Sequence, residues 1–234
     1  MDTCTKIDEL RLKFKEHRQP AGCIKVLSLS DGQRKIISAI DNNRYSVIKK
    51  TRGTGATTAA LAYLIANAAA PENKEKSFRF VDGSLNSLRA AFDEARIMAE
   101  ESCPTETAVR INLQNSEHYT IAFSNGSIIY FSLPKFCSGR FDTIIVDECA
   151  YYDFDTKMIL SQLAEGGKAC FISTPRGLLG AFAGLWSKPE GELKHVSVSF
   201  ADTPWQGKAF TERMEEAFGG VTDKYVREIY GGFC

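Results

Sequence analysis

The sequence predicts an α/β fold with a mainly parallel central sheet flanked by helices. Three observations predict it. Short apolar runs of strand length alternate with longer segments of helical period, the order expected of a parallel sheet wrapped by helices. A glycine-rich loop, Thr51 to Ala56, joins the strand-like Tyr45-Ser46-Val47-Ile48-Lys49 to an alanine-rich helical stretch. Phe141-Asp142-Thr143-Ile144-Ile145-Val146-Asp147-Glu148 is an apolar run of the kind found mid-sheet, closed by two adjacent carboxylates.

In chain order, Ile7 to His17 reads as a short amphipathic helix ended by Gln19-Pro20-Ala21-Gly22. Ser30-Asp31 suits the cap of a second helix, Gln33 to Ile40, and Asp41-Asn42-Asn43 is a turn. The loop at 51–56 leads into a helix from Thr57 to about Ala69, then Phe78 to Val81 reads as a strand. Leu85 to Glu101 carries apolar residues at 85, 88, 92, 95 and 98–99, a helical period. Tyr119 to Phe123 and Ser127 to Phe131 flank Asn125-Gly126, a hairpin signal. Thr143 to Val146 is a strand, Met158 to Ala164 a helix, and Ala169 to Ile172 and Val196 to Phe200 are strands. After Pro204 the chain reads as helical, most clearly over Phe210 to Phe218.

Composition narrows the class. The 234 residues carry 29 Lys+Arg against 29 Asp+Glu, so bulk positive charge is no basis for nucleic-acid binding. With 44% apolar residues there is material for a sizeable core. The longest apolar run, Ala59 to Ala70, is too short for a membrane span, and the charged N-terminus lacks the apolar stretch of a signal peptide. Seven cysteines, at 4, 23, 103, 137, 149, 170 and 234, contain no C-x-x-C pair and suit a reduced cytosol. The histidines at 17, 118 and 195 suggest no local metal motif, and the sequon Asn125-Gly126-Ser127 reads as a turn.

Three segments carry chemistry. Lys49-Lys50-Thr51-Arg52-Gly53-Thr54-Gly55-Ala56-Thr57-Thr58 has the strand–loop–helix layout of a P-loop, whose backbone N–H groups and helix N-terminus bind phosphate. The standard spacing is G-x-x-x-x-G-K-[ST]; here it reads K-x-x-x-x-G-A-T, with Lys50 first and Ala56 where lysine belongs. Phosphoryl transfer still needs a cation near the β- and γ-phosphates, and Lys50 and Arg52 are the candidates. A ligand-free strand-to-helix turn would use the same glycines, whereas a dinucleotide loop fits poorly because the third glycine is missing. In the second segment Asp147 would bind Mg²⁺, directly or through water, and Glu148 would polarise the attacking water as general base. The third, Cys170-Phe171-Ile172-Ser173-Thr174-Pro175-Arg176-Gly177, is a buried strand stopping at small hydroxyl residues. By itself it is only a turn.

Together these segments resemble the ATPase domain of the large terminase subunit, the DNA-packaging motor of tailed phages and herpesviruses. The family's adenine motif, Arg-bearing Walker A loop, Walker B strand and coupling motif correspond to Leu29-Ser30-Asp31-Gly32-Gln33, Arg52 to Thr57, Ile144 to Ala150 and Ile172 to Gly177. The likeness extends to Phe182, Leu185-Trp186 and Tyr225 to Tyr230, and so covers roughly residues 29–234. It implies a P-loop NTPase of the ASCE, RecA-like type: an N-terminal helical extension over 1–28, an ATPase core over 29–204 and a C-terminal helical segment or lid over 205–234. It implies an Mg²⁺-dependent ATP hydrolase that moves double-stranded DNA into a procapsid.

The resemblance also assigns roles. ATP would be held by Gln33, Lys50, Thr51, Arg52, Gly53, Thr54, Gly55, Ala56, Thr57 and Thr58, with Thr57 and Asp147 on Mg²⁺. Glu148, Lys50 and Arg52 would be catalytic, and Ser173 and Thr174 would couple the γ-phosphate to movement. An arginine from a neighbouring subunit would complete the site, with Arg140 and Arg176 among the candidates. Implied partners are double-stranded DNA, the portal, the small terminase subunit and further copies in a ring, with no membrane, in the cytoplasm of an infected host cell. Departures are Ala56 and the glycine before Gln33. The family's RNase H-like nuclease domain is not expected within these 234 residues, as for a separate ATPase domain or a split gene product. Rival readings are a superfamily 2 helicase-like translocase, whose Asp-Glu pair is usually followed by x-His or x-Asp instead of Cys149-Ala150, and a nucleotide-binding scaffold that has lost hydrolysis.

Overall fold

A computed structural model describes residues 2–15, 24–103, 110–115, 118–135, 138–191, 193–203 and 208–233. The elements begin with α1 (Thr3–Leu10), β1 (Lys13–Lys15), β2 (Ile24–Val26), α2 (Asp31–Asn42), β3 (Tyr45–Lys50) and α3 (Ala56–Ala69). There follow β4 (Ser77–Val81), α4 (Leu85–Ser102), β5 (Arg110–Asn115), β6 (His118–Ala122), β7 (Ile128–Ser132) and β8 (Phe141–Val146). The last are α5 (Thr156–Ser161), β9 (Leu163–Ser173), α6 (Ala181–Trp186), β10 (Leu193–Val198), α7 (Lys208–Ala217) and α8 (Asp223–Tyr225), which runs into a π-type turn over Val226–Tyr230.

Eight strands form one sheet in the order β10-β3-β9-β8-β4-β7-β6-β5. Pairing is parallel from β10 through β7, and β6 and β5 are added antiparallel at the far side. Because side chains alternate along each strand, the apolar runs feed two cores. Ile48, Phe80, Ile145 and Ile172 face α2, α3 and α4, while Val47, Val81, Ile144, Val146 and Phe171 face α5 and α6. Helix α3 is buried on nearly every side, which explains its alanines: small side chains let it lie close to the sheet between α2 and α4. The six parallel strands bring their carboxyl ends to one edge, where open α/β sheets bind ligands. No helix among the described residues is long and apolar enough to cross a membrane.

Several elements differ from expectation. The first helix ends at Leu10, because Arg11 turns left-handed (φ 48°, ψ 48°) and the chain then enters β1, paired antiparallel with β2. His17, the 19–22 turn, Cys23, Cys137, Pro204 and Cys234 lie outside the described residues. The helix expected over 158–164 stops at Ser161, and Ala164 belongs to β9. Between Phe141 and Thr143 the register on β9 jumps from Leu163 to Lys168, a bulge built on Gly166 (φ 72°) and Gly167 that local periodicity conceals. The strand expected over 196–200 runs from Leu193 to Val198, and Phe200–Asp202 is a 3₁₀ turn capped by Ser199. Strand β5 was not expected. Asn125 does sit in the hairpin turn, and its amide donates to the carbonyls of Ala68 (2.9 Å) and Ala70 (3.0 Å), fastening the turn to the end of α3. Cys4, Cys103, Cys149 and Cys170 are free thiols.

Candidate active site

The loop after β3 is shaped by backbone geometry first. Gly53 (φ 74°) and Gly55 (φ 71°) adopt the left-handed region that other residues resist, and Gly55 stands at the N-cap of α3. That cap position has no side-chain hydrogen bond, so the first turn of a 14-residue helix presents its N–H groups and positive dipole end without a protein cap. The Thr51 N–H donates to the Val198 carbonyl (3.0 Å) and the Arg52 N–H to that of Glu228 (2.8 Å); the Thr54 hydroxyl closes the loop on the Thr51 carbonyl (3.3 Å). Gln33 is buried. Its side-chain oxygen accepts from the Ser30 N–H in a capping box, and its amide donates to the Gly55 carbonyl (3.1 Å). The residue expected to read adenine thus ties α2 to the glycine-rich loop.

Next to β3 lies β9, and next to β9 lies β8, so the strand ending in Ser173 is inserted between the loop strand and the strand ending in Asp147-Glu148. This order brings the three expected segments together. The Thr57 hydroxyl donates to Asp147 Oδ2 at 2.5 Å. Lys50, almost fully buried, donates from Nζ to Glu148 Oε1 and to Thr174 Oγ1, the latter at 3.1 Å. Glu148 Oε2 lies 3.4 Å from the Thr174 N–H and 3.5 Å from the Ser173 hydroxyl. Ser173 Oγ also accepts from the Ala150 N–H (3.0 Å). Glu148 has φ 47°, a left-handed conformation that costs a non-glycine residue on the order of 1–3 kcal/mol. Such strain aims the carboxylate toward Lys50 at the sheet edge.

Not every expected residue joins this cluster. Ala56 is buried in the core and adds no polar group. The Thr58 hydroxyl donates to Glu94 on α4 (2.7 Å), away from the loop. Arg52 turns toward the C-terminal segment, where its Nε meets Glu228 Oε2 at 2.5 Å. Arg140 bonds the carbonyls of Ser161 and Leu163 near the start of β8, the opposite edge, and Arg176 bonds the Tyr151 carbonyl (3.3 Å).

The electrostatics follow from crowding. Burial, then the neighbouring Glu148 charge, pushes the Asp147 carboxyl up to about 7, opposed by Lys50 and Thr57. Asp82, just past the end of β4, is pushed up to about 6 by burial and Glu148, opposed by the Ser84 N–H it accepts (2.8 Å). A carboxylate destabilised by burial beside a second carboxylate and hydrogen-bonded by a threonine hydroxyl suits Mg²⁺, which takes one or two protein oxygens and leaves the rest to water and phosphates. No cluster of three or more His, Cys, Asp or Glu that could hold a metal by itself occurs among the described residues.

Sequence reasoning missed four participants. Asp82 ends Phe78-Arg79-Phe80-Val81-Asp82, the same apolar-run-plus-carboxylate pattern as β8, so a signal was present. Tyr152 donates its hydroxyl to the Asp147 carbonyl (2.7 Å), and its ring lies against Gly83, where a Cβ would come within 2.1 Å of it. Tyr151 carries no local pattern that marks it, and Glu228 lies in the Tyr225 to Tyr230 segment of the resemblance, which gave it no role.

No protein-family model and no curated protein matches the sequence. Solved structures do. The HK97 bacteriophage large terminase superposes with a TM-score of 0.78 at 14% identity, over 100% of this chain and 56% of that one. The fold is that of a large terminase ATPase domain. The ATPase domain of the Thermus phage P74-26 large terminase matches with a TM-score of 0.66 at 14% identity, over 88% of this chain and 94% of the domain. The large terminase of a thermophilic bacteriophage, in complex with ATP-gamma-S, matches with a TM-score of 0.68 at 18% identity, over 88% of this chain and 53% of that one. The chain thus spans about half the length of the HK97 terminase and of the thermophilic-phage terminase.

Proposed function

We propose that this chain is the ATPase motor domain of a terminase large subunit, hydrolysing ATP with Mg²⁺ to drive double-stranded DNA into a procapsid. The observation that carries the reading is the Thr57–Asp147 hydrogen bond, which joins a glycine-rich loop to a strand-end carboxylate whose neighbour, Glu148, is oriented by Lys50 and Thr174. That constellation on a terminase ATPase fold, whose thermophilic-phage representative takes ATP-gamma-S, favours phosphoryl transfer over a bare structural turn.

The N–H groups at the start of α3 and in the loop would bind the phosphates, with Lys50 neutralising charge on the transferring group. Thr57 and Asp147 would hold Mg²⁺, which would supply further charge neutralisation for phosphoryl transfer. Glu148 would accept a proton from the attacking water once the γ-phosphate draws Lys50 away from it. Thr174 touches both Lys50 and Glu148 and Ser173 touches Glu148, so the end of β9 would register that exchange and pass it on. DNA, portal, small subunit and ring neighbours are partners on the same reading. Local contacts repeated around a ring would suffice for a chain of zero net charge.

The test is Mg²⁺-dependent phosphate release from ATP by the purified chain and by Glu148→Gln, with ATP-gamma-S binding measured on both. Binding by both with turnover lost in Glu148→Gln supports a motor site. Binding without turnover in the parent, even with DNA present, favours a scaffold, and absence of binding refutes the nucleotide reading.

A further inference from the structure

We propose that Tyr152 is a positioning residue for the reaction: its hydroxyl anchors the peptide between Asp147 and Glu148, and so keeps the Glu148 carboxylate aimed after Lys50 has left it. The inference rests on the phosphoryl-transfer reading above.

The peptide joining Asp147 to Glu148 is tied at both of its polar atoms. Its carbonyl accepts the Tyr152 hydroxyl at 2.7 Å, and its N–H donates to Asp147 Oδ1 at 3.0 Å. The plane of this peptide sets φ of Glu148, which stands at 47°. A glutamate released from constraint leaves the left-handed region, and rotation of the preceding peptide is the simplest way out. The neighbouring N–H groups are fastened to the sheet. That of Asp147 donates to the Val81 carbonyl (2.9 Å), that of Cys149 to the Ile172 carbonyl (3.3 Å) and that of Ala150 to Ser173 Oγ (3.0 Å). Peptide 147–148 is therefore the joint that can turn, and Tyr152 locks it.

The tyrosine reaches this carbonyl because Gly83 makes room for it. Gly83 follows Asp82 beyond the end of β4, and a Cβ there would stand 2.1 Å from Cδ1 and 2.2 Å from Cγ of the Tyr152 ring. Its backbone lies outside the left-handed region, so the missing side chain serves the approach of the ring and not a turn. On the other side the Phe154 ring lies 6.0 Å from that of Tyr152 and stacks on Phe171 of β9 at 5.7 Å. Burial pushes the Tyr152 hydroxyl well above the ordinary tyrosine range, so it stays a protonated donor.

The anchor matters most when the cation has gone. In the free chain Glu148 is held by Lys50 Nζ and lies 3.4 Å from the Thr174 N–H. In the proposed reaction Lys50 moves to the γ-phosphate, and the cationic hold on Glu148 is lost. The strained backbone would then relax and carry the carboxylate off the water, were the peptide not held by Tyr152. Asp147 keeps the Thr57 hydroxyl on Oδ2 in either case, so its side chain does not depend on this anchor.

Steady-state phosphate release by the full chain, parent and Tyr152→Phe, with ATP and Mg²⁺ each varied, tests this. Loss of the hydroxyl should lower kcat about 10-fold, while half-saturation by ATP and by Mg²⁺ moves by less than about 2-fold. Gly83→Ala displaces the ring and should show the same split. Amide exchange read residue by residue in the nucleotide-free chain needs no turnover. In Tyr152→Phe the N–H groups of Glu148 and of Tyr151, which donates to the Glu148 carbonyl (3.0 Å), should exchange at least about 5-fold faster, and that of Asp147 at the parental rate. A kcat within about 2-fold of the parent's, a Mg²⁺ demand that shifts along with it, a Gly83→Ala chain that turns over like the parent, or unmoved exchange at Glu148 overturns the proposal. A parent that releases no phosphate while exchange quickens in Tyr152→Phe overturns the functional reading and supports the anchoring. A parent that turns over while exchange stays unmoved overturns this inference alone.

Discussion

Lys50→Ala is the substitution that most sharply tests the relocated lysine. Lys50 is the buried cation in the cluster, with Glu148 and Thr174 on its Nζ and the Asp147 carboxyl near enough to be lowered by its charge. Removing it has two effects on the proposed reaction. Loss of one preorganised charge donor on the transferring phosphoryl group costs about 3–4 kcal/mol, or roughly 10²–10³ in turnover. Asp147, already pushed up to about 7, then moves higher, so a larger fraction is protonated at neutral pH and the demand for Mg²⁺ grows. The expected result is phosphate release reduced at least about 100-fold, with the residual activity's acid limb displaced to higher pH and half-saturation by Mg²⁺ raised. Adding Ala56→Lys should not restore the parent rate, since Ala56 packs in the core at the first residue of α3. Steady-state phosphate release against pH and Mg²⁺ measures all of this. Turnover unchanged or raised in Lys50→Ala would refute the reasoning, because Lys50 would then be only a latch on Glu148 or a structural cation.

Thr57→Val removes the hydroxyl on Asp147 while keeping the shape, so Mg²⁺-dependent stabilisation of the chain by ADP, read as a shift in melting temperature, should be mostly lost with the fold intact. Asp147 also predicts how stability varies with pH. Its carboxyl is pushed up to about 7 in the fold against 3.8 for an unperturbed aspartate, so between those values the folded state retains a proton that the unfolded state releases. Stability of the EDTA-treated chain should therefore fall as pH rises from about 4 to 7, and Asp147→Asn should flatten that fall; parallel melting curves for the two proteins would rule this out. Arg79 is completely buried on β4, where it donates to Ser132 Oγ (2.8 Å), Gln162 Oε1 and the carbonyls of Leu133 (3.0 Å) and Lys135 (2.9 Å). Arg79→Leu should destabilise the chain by about 3–5 kcal/mol in urea unfolding, because those acceptors are left dry; a loss under about 1 kcal/mol would mean that water replaces the guanidinium.

The fold was legible wherever burial imposed a period. Strands β3, β4 and β8 and helices α2 and α4 appear at or within two residues of their expected bounds, because each has an apolar pattern with one physical explanation. Where a backbone device intervened, the pattern failed. Arg11 ends α1 by a left-handed turn, and Gly166-Gly167 lets β9 start at Leu163, well before the apolar run that opens at Ala169. The site was legible to the extent that its chemistry sits at strand ends. Lys50, Thr57, Asp147, Glu148, Ser173 and Thr174 all belong to segments whose motif could be read. Glu228 lies 176 positions from Arg52, and only the return of the chain across the loop brings them together. No local spacing encodes such a contact.

The position of the lysine has a mechanical consequence. A lysine at the first residue of α3 would approach the phosphates from the helix and stand apart from the strands. Lys50 instead leaves the end of β3, whose neighbour β9 runs directly into Thr174 and whose next neighbour β8 runs on to Asp147 and Glu148. The cation therefore touches the proposed general base and the proposed coupling residue at once. In the proposed cycle a γ-phosphate that attracts Lys50 must release Glu148 and break the bond to Thr174 in the same movement. Activation of the base and the signal to β9 then become one event, which a lysine at position 56 would have to achieve by a second contact. On this argument Ala56 is no sign of a dead loop. It is the small residue that lets α3 start tight against the sheet once the charge has moved to β3.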